Sequence, residues 1–135
     1  MTTNKGYAVK AFPVPTKRYC QVLSLKDAPE GIARYRSLHS PLNVWPEVLE
    51  GIRDVGILEM EIYICGNQLC MIVEAPLDFD WDKAMKRLAC LPRQAEWEQC
   101  VEPYQQCEPG STSSEKWKPM ERMFHLYSEE EMSRP

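Results

Sequence analysis

An α+β fold, an open antiparallel sheet with helices on one face, is predicted by three features of this chain. Its periodic segments run in the order β-α-α-β-β-α-α-β. It contains one clear hairpin: Leu58, Met60, Ile62 and Ile64 alternate with Glu59, Glu61, Tyr63 and Cys65, Gly66-Asn67 follows, and Leu69, Met71 and Val73 alternate in the return strand. Alternation of period two places successive side chains on opposite sheet faces, and Gly-Asn between two such runs signals a tight turn. Pro and Gly punctuate the remaining boundaries. This order suits the ferredoxin-like class.

Residues 1–18 are polar and broken by Pro13 and Pro15, which reads as an extension ahead of a single domain over 19–127. Tyr, Val and Leu in 19–25 predict the first strand. Asp27-Ala28-Pro29-Glu30 predicts a helix start with Asp27 as N-cap, an early Pro, and Glu30 closing a capping box. That helix carries Ile32, Tyr35 and Leu38 and ends at His39, because Pro41 biases Ser40 away from helical dihedrals. A second helix begins at Pro46, presents Val48, Leu49, Ile52 and Val55 on one face, and stops at Gly56. Beyond the hairpin, 76–80 reads as a loop and 81–91 as a helix. After Pro92 a further helix is expected over about 93–106, then a Gly/Ser/Thr loop over 108–116. A final strand is expected over 120–127 and an acidic tail over 128–135. Tyr63 and Ile72 make the second sheet face partly apolar, so a second copy of the chain is expected to cover it.

The 135 residues suffice for one core without staples. A net charge of −4 and a pI near 5.3 exclude a basic nucleic-acid surface. No apolar run is long enough for a membrane span, and 1–18 lacks an apolar signal segment, so a cytoplasmic address is expected. Six Cys form no C-x-x-C pair and only two His are available, which argues against a zinc site. Cys65 and Cys70 flank the hairpin turn and stand where they could face each other. In a reducing compartment they read as small thiols. There is no phosphate loop and no serine-nucleophile motif. No cofactor and no metal are expected.

The chemically suggestive residues are Tyr35 and His39. Four apart on a helix, they share one face. Histidine, with an ordinary pKa of about 6.5, both takes and gives a proton near neutrality. A histidine at a helix C-terminus is also commonly held there by the helix dipole alone, and it is the Tyr35 partner and nearby aromatics that point to function. Trp45 and Trp97 each suit an aromatic platform for a sugar or a core anchor. Trp81 and Trp117, near loop ends, read as packing or surface residues, and His125 as structural or solvent-facing. Glu59 and Glu61 share a strand face, an arrangement suited to flanking a substrate and equally ordinary on a half-exposed strand.

The block Tyr35-x-x-x-His39-x-Pro41, a short spacer and Trp45-Pro46-Glu47 resembles the signature of the L-rhamnose mutarotase family. The resemblance extends over about 19–127 and includes Glu121-x-x-Phe124-x-Leu126. It implies a ferredoxin-like chain that dimerises through its sheet as a dimeric α/β barrel. It also implies interconversion of the α and β anomers of a 6-deoxy-L-sugar, L-rhamnose or L-fucose. By position, His39 matches the family's proton-donating histidine and Tyr35 its substrate-binding tyrosine. Met60 stands where bacterial members have a second substrate-binding tyrosine. Glu96-Trp97 stands where they have a Trp-Trp pair. These substitutions bear on which sugar is taken. Two other readings remain open at this stage: a non-enzymatic dimeric sugar- or metabolite-binding module, and another enzyme of the dimeric α+β-barrel type.

Overall fold

The structure is a computed structural model and describes residues 4–133; the outermost residues of the expected extension and tail lie outside the described residues. Four strands form one antiparallel sheet in the order β2-β3-β1-β4, with β1 Thr16–Ser24, β2 Glu59–Cys65, β3 Gln68–Pro76 and β4 Lys118–Pro119. The helices are α1 Pro29–Leu38, α2 Pro46–Asp54, α3 Trp81–Ala89, α4 Gln94–Val101, α5 Ser113–Lys116 and α6 Glu129–Met132. A 3-10 turn, Glu102–Tyr104, closes α4.

The hairpin forms as its alternation requires. Met60 pairs with Val73, Ile62 with Met71 and Ile64 with Leu69, so this set points to one face. Leu23 of β1 joins them opposite Leu69. Against that face pack Val48 of α2, Met85 and Leu88 of α3, and Trp97 and Val101 of α4. Gly66 takes φ 60° at the first turn position, while Asn67 does not have a positive φ; this is the sign pattern of a type II′ turn. The same two-residue turn sets Cys65 opposite Gln68 and Cys70 opposite Tyr63, so Cys65 and Cys70 do not face each other. Cys70 instead meets Cys20 of β1, their Sγ atoms 3.3 Å apart on the outer face.

Several expected boundaries shift. The first strand begins at Thr16, inside the expected extension. Ahead of it, the Tyr7 ring meets the edge of Tyr63 at 5.8 Å, so the segment reaches across part of the outer sheet face. The N-cap of α1 is Ala28, without a side-chain bond, and not Asp27: Pro29 occupies the first helical position, one residue too late for the Asp27 carboxylate. Helix α3 is capped by Asp80, which accepts from the Lys83 N–H at 3.2 Å, and ends at Ala89. Helix α4 ends at Val101, because Pro103 cannot continue the hydrogen-bond ladder. The expected loop 108–116 contains α5, where the Glu115 carboxylate accepts from both the backbone N–H and the hydroxyl of Thr112 at 2.9 Å. The acidic tail contains α6, begun by the Ser128–Glu131 box.

The largest departure is the last strand. Only Lys118–Pro119 pairs with β1, opposite Val22 and Gln21, and the Met120 N–H adds one bond to the Cys20 carbonyl. From there 121–127 leaves the sheet, with Met123 96%, Phe124 75% and Leu126 75% exposed. Alternation supplies the strand pattern, but 121–127 does not follow the edge of β1, which continues beyond Cys20 to Thr16.

The helix-facing side of β3 is the buried one, carrying Leu69, Met71, Val73 and Ala75. Leu69→Ala, at a side chain 2% exposed, is expected to cost about 2–5 kcal/mol, and Ile72→Ala, on the outer face of the same strand, less than half of that. Urea unfolding of the two variants measures the difference.

Candidate functional site

Tyr35 sits on the last full turn of α1, buried, and His39 is the C-cap of that helix. The turn through Ser40, begun where Pro41 prevents a further helical residue, leaves the His39 ring lying along the helix end. Its Nδ1 lies 2.8 Å from the Tyr35 carbonyl oxygen. A carbonyl only accepts, so Nδ1 carries the proton in that bond. In the neutral ring Nε2 is then the lone-pair nitrogen. The ring is held between Tyr35, centroids 4.4 Å apart, and the edge of Trp97 at 5.2 Å. Burial lowers the His39 pKa below its ordinary 6.5, outweighing the bond to the Tyr35 carbonyl, which raises it. His39 is therefore a neutral base at neutral pH.

Both side chains line a cavity of about 390 Å³, which also receives Met60, Trp97, Gln94 and Glu98. Its size falls in the range of about 300–1,000 Å³ usual for small-molecule sites. Trp97 of α4 forms part of its wall. Trp45 does not: its ring meets Trp97 at 5.2 Å and carries the Arg93 guanidinium 4.0 Å above it, so it acts as a packing anchor. Met60 comes from β2 and lends the cavity an apolar patch. Glu96 points away from it, exposed and paired with Arg93 at 3.6 Å. Glu59 borders the cavity, while Glu61 lies on the outer sheet face and accepts from the Tyr63 hydroxyl at 2.8 Å. His125 is exposed, 6.2 Å from Tyr127.

The polar floor of the cavity is formed by residues that the sequence reading did not single out. Lys116 of α5 is buried, pairs with the Glu98 carboxylate and donates to Gln105 Oε1 at 2.7 Å. Gln105 Nε2 in turn donates to the Tyr35 hydroxyl oxygen at 3.3 Å. Gln94 Nε2 donates to Glu98 Oε1 at 3.0 Å, while Gln94 Oε1 is buried and finds no hydrogen-bond donor among the described residues. Such an acceptor costs about 1–3 kcal/mol unless something donates to it, and a ligand hydroxyl is a fitting donor. Burial raises the Tyr35 pKa to about 12, against the opposing effect of the Gln105 bond, so its hydroxyl stays protonated. Two signals for this floor exist in the sequence: the Thr112-x-x-Glu115 box that begins α5, and the i, i+4 spacing of Gln94 and Glu98. Nothing local pairs Lys116 with Glu98.

Among the described residues no group of three or more His, Cys, Asp or Glu is placed to hold a metal ion. No helix among them is long and apolar enough to cross a membrane.

Fold and cavity together define an α+β protein with a cavity of small-molecule size and a neutral imidazole and a protonated phenol on one wall. The chain belongs to the L-rhamnose mutarotase family, whose model matches residues 18–126. Membership carries the general class with it: a sugar mutarotase, an isomerase. The chain is 38% identical over 110 residues to the L-fucose mutarotase of Xanthomonas campestris pv. campestris, covering 82% of this chain and 88% of that one. It is 34% identical over 114 residues to a UPF0734 protein of Dictyostelium discoideum, covering 82% of this chain and 90% of the relative. Its fold matches the crystal structure of an L-rhamnose mutarotase from Formosa agariphila with a TM-score of 0.61 at 21% identity, over 82% of this chain and 99% of that one. Tetracenomycin F2 cyclase from Streptomyces glaucescens shares the fold at a TM-score of 0.52 and 13% identity, over 83% of this chain and 97% of the other.

The lowered His39 pKa has a thermodynamic consequence. The unfolded chain binds the proton near pH 6.5 and the folded chain only below that. Stability therefore falls as pH drops from 6.5 towards the folded-state value, and is insensitive to this group above 6.5. NMR titration of the His39 ring is expected to show a midpoint below 6.5, and His39→Asn to remove that part of the pH dependence of urea unfolding.

Proposed function

We propose that this protein interconverts the α and β anomers of a 6-deoxy-L-sugar by acid–base ring opening. The carrying observation is His39 at the cavity wall: its Nδ1 is committed to the Tyr35 carbonyl and its Nε2 is left as a base. In the opening step the anomeric hydroxyl gives its proton to Nε2, and in the closing step the imidazolium gives it back, which is the donating role that the family resemblance implies for His39. The C1–O1 bond becomes a carbonyl, the C1–O5 bond breaks, and the electron pair on O5 takes a proton from a hydroxyl donor in the cavity. Rotation about C1–C2 and the reverse sequence close the ring to the other anomer. No atom is gained or lost, and the reaction already proceeds in water, so one positioned acid–base group worth about 10²–10⁴-fold suffices. In this reading Trp97 presents an aromatic wall to the C–H side of the ring, and Gln94 Oε1 accepts from a ring hydroxyl. Met60 offers an apolar contact that suits a 6-methyl group. L-fucose is the favoured sugar, accepted at least as well as L-rhamnose. The 38% identity to an L-fucose mutarotase supports that choice.

The test is anomer exchange of L-fucose and L-rhamnose followed by saturation-transfer NMR. The intact protein is expected to accelerate exchange of both, and His39→Asn to lower the rate about 10²–10⁴-fold with little change in sugar affinity. Exchange should also decline as pH falls through the lowered His39 pKa, because only the neutral imidazole accepts the anomeric proton. Sugar binding without any exchange would instead establish a binding module.

We further propose that the working form is a homodimer. Met123, Phe124 and Leu126 extend from the sheet edge fully or largely exposed, more apolar surface than an isolated chain ordinarily leaves open. The alternation of 120–127 suits pairing with the sheet of a second copy. Light scattering at micromolar concentration is expected to give twice the chain mass of 15.7 kDa, and truncation after Pro119 to give a single chain.

A further inference from the structure

We infer that Gln105 and Lys116 are positioning residues that commit the Tyr35 hydroxyl to donating its hydrogen bond into the cavity, towards the ring oxygen of the sugar. The inference rests on the proposed ring-opening activity and supplies the hydroxyl donor that the mechanism requires.

The Lys116 ammonium has three donors and no acceptor, so the Gln105 atom facing it at 2.7 Å is the carbonyl oxygen. That fixes the amide, and the Gln105 atom facing the Tyr35 hydroxyl oxygen at 3.3 Å is then the nitrogen, a donor. Tyr35 therefore accepts from Gln105, and its single proton is free to point elsewhere. Tyr35 lines the cavity beside His39, so the free direction lies with the ligand. The Glu98 carboxylate on the far side of Lys116 keeps the ammonium in place.

This arrangement places two complementary groups on one wall. His39 Nε2 accepts a proton and the Tyr35 hydroxyl donates a hydrogen bond. Ring opening needs both at once: the anomeric oxygen loses a proton while the ring oxygen gains electron density. A donor already turned towards the ring oxygen stabilises that developing charge without reorientation. Were the Gln105 amide reversed, its oxygen would take the Tyr35 proton and the wall would present two acceptors.

Gln105→Glu tests the point with little change in shape, because a carboxylate beside Tyr35 accepts the hydroxyl proton. It is expected to lower kcat for anomer exchange about tenfold or more while KM changes little. In a Tyr35→Phe background the same substitution is expected to change kcat by less than about twofold, the scatter of uncoupled sites. Gln105→Met, which brings no charge, gives the same cycle with a smaller loss and carries the test if the Glu variant fails to fold, as judged by its circular dichroism and thermal transition. Lys116→Arg, which keeps a donor for Gln105 Oε1, is expected to retain most of the rate. An equal loss in the unmodified and Tyr35→Phe backgrounds, or no loss in the first, overturns the inference while leaving the mutarotase reading intact. Failure of the unmodified protein to exchange either sugar overturns the mutarotase reading itself, and the inference with it.

Discussion

The buried pairing of Lys116 with Glu98 is the contact on which the cavity depends. A lone ammonium in this position would be expelled or deprotonated, because burying an unpaired charge is far more costly than any packing the side chain gains. Paired, it ties the short α5 to α4 and closes the floor beneath Trp97. Breaking one side of such a pair costs about 3–5 kcal/mol, because the partner is left charged and dry. Trp117, also buried, follows at once and fixes the chain before it joins β1. The charge pair and the indole together bring the end of the domain back to its beginning.

The same burial that makes the ion pair necessary sets the chemistry above it. Withdrawing water from His39 favours its neutral form, and the Tyr35 carbonyl chooses the tautomer. Withdrawing water from Tyr35 keeps its proton on. A single dry wall thus holds a base and a donor side by side near neutral pH, the Glu98 charge adding to the effect of burial at Tyr35. The apolar side chains from β2 and α2 that line the rest of the cavity sustain this state by excluding solvent.

The hairpin, α2 and the Tyr35–His39 face were legible in the chain because each follows from a local rule: period-two alternation, proline at a helix start, and four-residue spacing. Trp45 and Trp97 illustrate the limit of such rules. Both are aromatic, one at a helix start and one mid-helix, yet Trp45 is covered by Arg93 and Trp97 faces the cavity. Glu96 and Glu98 make the same point two residues apart on α4: the first meets solvent and Arg93, the second meets Lys116. Helical phase separates them, but only the position of α5 tells which phase is inward.

By itself the sequence determined the α+β class, the helix-facing set of the hairpin, the end of α1 at His39 and the family to which the chain belongs. These rest on contacts between residues close together in the chain, or on a short motif. Tertiary structure decided the rest. It drew Lys116 out of a segment that reads as loop and Gln105 out of the end of one that reads as helix, set the direction of the amide under Tyr35, separated Cys65 from Cys70, and released 121–127 from the sheet. Lys116 and Gln105 depend on partners far away in sequence, a carboxylate on α4 and a hydroxyl on α1. The register of the hairpin turn separates the two cysteines, and 121–127 departs from an edge of β1 that continues to Thr16. Local pattern gives a segment its preference, but a buried charge or an unpaired strand is resolved only by what folds against it.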